Sequence, residues 1–132
     1  MTPDDVIEAT DHMLEALGPW AQADWTVAAG PLRWDCGTTA VHVASDLLAY
    51  AGQVVASPAN GYVPFDIAVP EAASLGDVLD VVSACGRLLA SSVATADPAS
   101  RAWHPYGVSD PGGFAAMGVA EVLMQGIWRC SW

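Results

Sequence analysis

The sequence predicts an all-α fold: a single four-helix bundle with long connecting loops, one domain over residues 1–132. Three observations carry that expectation. Four stretches repeat apolar residues at 3–4 spacing, the period of a helix with one buried face. No stretch shows the apolar–polar alternation of a half-buried strand. A chain of 132 residues, 53% hydrophobic and 14% charged, can bury one core and is not disordered in composition.

The first helix opens at Thr2, an N-cap residue, with Pro3 at the first helical position and Asp4, Asp5 and Glu8 near the positive end of the helix dipole. Its apolar stripe is Val6, Ala9, Met13, Leu14 and Leu17, and Gly18-Pro19 ends it. The second is expected over 38–55, with Val41, Ala44, Leu47, Leu48, Ala51 and Val55 on its apolar side. The third is capped by Ser74 with Asp77 three residues on, a capping-box pattern, and carries Val78, Leu79, Val82, Leu89 and Val93. The fourth starts behind Asp110-Pro111 and is expected to run to about residue 128. Phe114, Met117, Glu121, Met124, Gln125 and Trp128 share one of its faces, and Gly118 and Ala120 suit a close helix approach. The loops between helices are long and rich in Trp, Tyr, Phe and Pro, so they are expected to pack.

Charge excludes several functions. The net charge is −11, from 15 acidic residues against four arginines and no lysine. Phosphate neutralisation by Lys and Arg is thus scarcely available, and neither nucleic acid nor an anionic membrane surface is an expected partner. No lysine also means no Schiff-base chemistry and no Walker lysine. No apolar run is expected to reach the roughly 18 residues of a membrane span, and "MTPDDVIEAT" has no secretion-signal character. A cytoplasmic protein is the expectation. Cys36, Cys85 and Cys130 form no CxxC pair, and reduced, mostly buried thiols are expected, Cys36 being the best placed for reactivity at a helix start.

One constellation could carry chemistry. His42 lies early in the second helix, with Asp46 one turn on to hold its tautomer. Glu121 and Gln125 are an i, i+4 pair in an otherwise uncharged run. Facing helices can build a metal site from inward side chains. Spacing alone favours a plainer reading, a hydrogen-bonded core histidine and a half-buried glutamate, and an amide is a poor zinc ligand.

Two stretches add a resemblance. "LRWDCGTTAVHVASDLLAYAGQVV" followed by "AWHPYGVSDPGGFAAMGVAEVL" resembles the mycothiol-dependent maleylpyruvate isomerase family, within the DinB-like four-helix superfamily, over about residues 20–124. The resemblance rests on the Trp and His entering the second helix, "DLLAYA", the "HPYG" loop and G-x-x-E-V-L, in that order. It implies a divalent metal, zinc or another, held by a His of the second helix and a Glu-x-x-x-His pair of the last. His42 matches the first ligand and Glu121 the glutamate; Gln125 stands where the second histidine should be, and Trp128 where an Asp is frequent. It further implies mycothiol as thiol cofactor, and isomerisation or thiol transfer on a small electrophile.

His104 and Tyr106 of the "HPYG" loop are the candidates to line the pocket or move a proton. Maleylpyruvate is a dianion, and only Arg33, Arg87, Arg101 and Arg129 could receive it, so the expected substrate is another small molecule. Two other functions stay open. A metal-free descendant could bind a small apolar ligand among Trp25, Trp34, Trp103 and Trp128. An interaction protein could bury exposed aromatics in a homodimer.

Overall fold

A computed structural model describes residues 1–30 and 35–126. Among them it has four α-helices: α1, Pro3–Leu17; α2, Cys36–Ala56; α3, Leu75–Thr95; and α4, Pro111–Gly126. The described residues form no strand, only two isolated bridges, Ala28 with Asp35 and Ala102 with Ser109. The all-α four-helix arrangement is therefore as the periodicity implied.

Each helix start follows from local chemistry, because the first backbone N–H groups of a helix have no partner within it. Thr2 Oγ1 accepts from the Asp5 N–H at 3.3 Å while Asp5 Oδ2 accepts from the Thr2 N–H at 2.7 Å. Ser74 and Asp77 repeat that exchange at 3.1 and 2.9 Å. Asp110 Oδ1 takes the Gly113 N–H at 2.7 Å. The start of α2 falls earlier than the expected residue 38, because Asp35 is its cap and accepts from the Thr38 N–H at 2.7 Å. A cap of this kind stabilises a helix by about 1 kcal/mol. At the end of α1 the chain passes through a single 3-10 turn, Gly18–Trp20, since Pro19 has no N–H to continue the ladder.

In cross-section the helices run in the order α1, α3, α2, α4, with α1 and α2 at opposite corners. That is why the connection between α1 and α2 is long. The main core joins Val6 and Met13 of α1, Val43, Leu47 and Val54 of α2, Val82 and Leu89 of α3, and Phe114 and Val122 of α4. A second cluster gathers Trp25, Ala29, Cys36, Ala40, Val78 and Leu79 at one end. Trp25, a candidate pocket residue by sequence, is buried in this cluster and donates its indole N–H to the Trp20 carbonyl at 2.8 Å.

Three expected faces are corrected. Val55 is 74% exposed, and Val43, Gln53 and Val54 are buried instead, because α2 packs against both α3 and α4 and hides a wider arc. Met124 is 63% exposed, and the core face of α4 is Phe114, Ala115, Gly118, Val119 and Val122. Ala120 is exposed and has no part in close helix approach. Finally, α3 is long and apolar enough by length and composition to cross a membrane, although charged residues interrupt it. Its Val78, Val82, Cys85 and Leu89 face the bundle, and its outer side carries Asp80, Arg87 and Ser91.

Gly118 sets the distance between α4 and its neighbours. A Cβ there would fall 2.5 Å from Leu89 Cδ2 and 3.3 Å from Leu47 Cδ2. Gly118→Val is expected to destabilise the protein by about 1–3 kcal/mol through overpacking, read as a lower urea midpoint at unchanged slope. Adding Leu89→Ala should recover part of that loss, so the two changes should cost less together than their sum. Strict additivity in the double-mutant cycle would show that the two residues do not compete for space.

Candidate functional site

The long loops are fixed to α2 by a residue that carries no site signal in the sequence. Gln53 is fully buried and spends its amide on both connections. Its Nε2 donates to the Gly61 carbonyl at 3.1 Å and to the Trp103 carbonyl at 2.8 Å, and its Oε1 accepts from the Val63 N–H at 3.0 Å. The Trp103 N–H donates to the Pro58 carbonyl at 2.9 Å, joining the loops to each other. The stretches around Val63 and Trp103 are thereby held on the side of the bundle where α2 meets α4, with His104 against Tyr50 and Phe114.

On that side lie most of the expected site residues. His42 and Asp46, one turn apart on α2, meet at 3.1 Å between Nε2 and Oδ2. Glu121 comes from α4, and donor atoms of His42, Asp46 and Glu121 all lie within 4.8 Å of one another, in a half-buried setting. Gln125 donates Nε2–H to Glu121 Oε2 at 3.3 Å, while its own Oε1 is buried and has no hydrogen-bond partner among the described residues. The neighbours expected from spacing, His42 with Asp46 and Glu121 with Gln125, are thus brought together, and the two pairs share one location.

Two carboxyl groups face each other here, and the cost shows in the titration of Asp46. Burial, the charge of Glu121 and a hydrogen bond with Glu121 together push Asp46 up to about 7. Tyr50, a further turn along α2 and buried, has its phenol raised well above the ordinary range by burial and by the neighbouring Glu121 and Asp46. Tyr62 is raised by the same two carboxylates after burial. His42, Asp46 and Tyr50 therefore form a three-residue ladder at i, i+4 spacing along one side of α2, a signal legible as H-x-x-x-D-x-x-x-Y. Spacing marks Asp46 only as a partner to the histidine, and Tyr50 and Tyr62 are not among the expected site residues.

His104 joins the site from the loop. Its ring centroid is 6.4 Å from that of Tyr50, 6.3 Å from Tyr62 and 6.3 Å from Phe114. Its Nδ1 accepts the Tyr106 N–H at 3.2 Å, so in the neutral ring the proton sits on Nε2. Tyr106 itself is 96% exposed, its ring stands in solvent beside His104, and it serves the site through its backbone. Trp103 stacks edge-on against Tyr62 at 5.4 Å.

Other candidates stand elsewhere. Arg87 pairs with Asp11 at 3.3 Å, and Arg101 donates to the Pro98 and Ser100 carbonyls at 3.0 and 2.8 Å. Arg33, Trp34, Trp128, Arg129 and Cys130 lie outside the described residues. The thiols differ from expectation: Cys36 is disulfide-bonded, so it is no free nucleophile, whereas Cys85 is free and buried, and burial raises its thiol.

The donor set fits a divalent cation. Ligand atoms around one ion sit at about 2.0–2.2 Å from it, hence up to about 4 Å apart, close to the separation of these three groups. Arg87 and Arg101 are engaged elsewhere, while Asp46 and Glu121 face each other with the His42 imidazole on Asp46 as the basic group beside them. An unpartnered, buried carbonyl oxygen next to them adds a further donor. Fold and site together define a helical bundle with a His/Asp/Glu cluster between two helices. Compared with known proteins, the chain matches no family model and no curated protein.

Proposed function

We propose that the protein holds a divalent cation through His42, Asp46 and Glu121 and uses it in thiol chemistry, an isomerisation or thiol transfer, on a small electrophile. One observation carries the cation: an imidazole and two carboxylates from different helices converge within 4.8 Å. The thiol part, with mycothiol as cofactor, rests on the sequence resemblance. When bound, the cation supplies a Lewis acid to an oxygen or sulfur donor.

The chain's own residues would divide the remaining work. Asp46 and Glu121 neutralise the cation's charge, which favours an uncharged electrophile over a dianion such as maleylpyruvate. Tyr50, Tyr62 and Trp103 offer an aromatic wall, and the loop around Gln53 keeps it in place. His104, with its proton on Nε2, is the group proposed to pass a proton near that wall.

Metal analysis tests the reading. Protein purified without chelator and then loaded should carry about one equivalent of divalent metal, and His42→Ala should carry almost none. Wild-type protein that stays metal-free after loading with zinc and with manganese would sink the proposal and leave the metal-free, apolar-ligand reading in its place.

A further inference from the structure

We infer that Gln125 is an oxygen donor of the site rather than a lost ligand, and that the site is built for an oxygen-preferring divalent cation such as Mn²⁺ rather than for zinc. This rests on the proposed cation site and goes beyond it in naming a fourth donor and the class of metal.

The orientation of the Gln125 amide is fixed by its neighbour. Gln125 turns its N–H toward Glu121 Oε2 at 3.3 Å, a carboxyl oxygen that accepts it. The carbonyl oxygen of the same amide then lies beside the same carboxylate, and it is buried without a hydrogen-bond partner among the described residues. Buried acceptors are rarely left unpaired in folded proteins. A cation, or a donor group carried by one, accounts for this oxygen.

Helix register places that oxygen at the right level. The α2 and α4 helices run antiparallel: Tyr50 meets Phe114 with ring centroids 6.0 Å apart, and Leu47 lies against Gly118. Asp46 meets Glu121. One turn further along α4 therefore lies level with one turn back along α2, which sets Gln125 opposite His42.

The resulting donors are one imidazole nitrogen, two carboxylates and one amide carbonyl. Zinc favours nitrogen and sulfur in a four-coordinate shell. Carboxylate and carbonyl oxygens suit manganese and magnesium, while a single imidazole retains affinity for transition metals. Exchanging a second imidazole for an amide moves the site toward manganese. The absolute order of affinities is a poor readout, because zinc outranks manganese at most sites. The change in their ratio is the informative quantity.

The test is a competition titration of metal-free, full-length protein with Mn²⁺ and Zn²⁺, comparing wild type, Gln125→His and Gln125→Leu, with far-UV circular dichroism to confirm the helices. Gln125→His should shift the Zn²⁺-to-Mn²⁺ affinity ratio toward zinc by at least about tenfold, and Gln125→Leu should weaken Mn²⁺ binding by at least about tenfold. A ratio unchanged in Gln125→His, or Mn²⁺ binding unchanged in Gln125→Leu, overturns the inference while leaving the His42, Asp46 and Glu121 site standing. Failure of wild-type protein to bind either cation removes that site and the inference with it.

Discussion

Gln53→Leu is expected to destabilise the protein by about 3 kcal/mol, at or beyond the upper end of the loss from Gly118→Val. Leucine keeps the volume and loses every polar contact of a fully buried side chain. The Gly61 and Trp103 carbonyls and the Val63 N–H each lose their partner. Leaving a buried polar group unsatisfied costs about 1–3 kcal/mol, and partial exposure of the loops to water should recover some of the total. Urea denaturation should show the loss as a lower midpoint. Gln53→Glu retains an acceptor for Val63 but sets a buried carboxyl oxygen against the Gly61 and Trp103 carbonyls, so near neutral pH it should be at least as destabilised as Gln53→Leu. Because the same contacts hold the segments bearing Tyr62 and His104, weaker order around the proposed cation site should accompany the drop in stability. A Gln53→Leu protein within about 0.5 kcal/mol of wild type, well under the cost of even one orphaned buried group, would mean that the loops are anchored by something other than this amide.

Asp46→Asn is expected to act in opposite directions on binding and on stability. Loss of one carboxylate should reduce divalent-metal affinity by about 100-fold or more, a larger change than the roughly 10–100-fold typical of residues that merely support a ligand. The metal-free protein should become more stable, since asparagine removes a half-buried charge that faces Glu121. The direction with pH follows from the raised titration of Asp46 to about 7. Between its unfolded value near 4 and its folded value, the folded state holds a proton that the unfolded state has released. Stability from this group is complete below about pH 4, declines through that window, and is gone above about pH 7. The metal-free wild type should therefore lose Tm between about pH 5 and 7.5, and Asp46→Asn should lose less, ending about 3–8 °C higher at about pH 8. Parallel pH profiles for the two proteins would show that Asp46 and Glu121 do not oppose each other in solution.

Metal binding would reverse that pH trend, because a cation competes with the proton for the same oxygen. The arrangement is costly in the metal-free state, and removing a carboxylate is the simplest way to relieve it. Such opposition between stability and binding is a frequent mark of a functional site.

Much of this molecule is legible without its structure. Thr2 with Asp5, Ser74 with Asp77, and Asp110 ahead of Pro111 each mark a helix start, since a cap is made by residues three apart in the chain. The pairs His42–Asp46 and Glu121–Gln125 are likewise visible, because i, i+4 neighbours meet on any helix. Gln53 is not visible as an anchor. Its partners are Gly61, Val63 and Trp103, the last 50 residues away, and an amide mid-helix reads as a surface residue until the loops are folded over it. Val55 and Met124 fail for a related reason: periodicity finds an apolar stripe but cannot say how wide an arc the neighbouring helices will cover.

The sequence by itself determined the four helices, their caps and the long packed loops, because these depend on near neighbours in the chain. Only the tertiary structure decided that α2 meets α4 at Gly118, that Asp46 therefore faces Glu121, and that Gln125 turns one end of its amide to that carboxylate and leaves the other buried. Contacts between helices depend on which side chains allow backbones to approach, and that is a property of the assembled core rather than of any one segment.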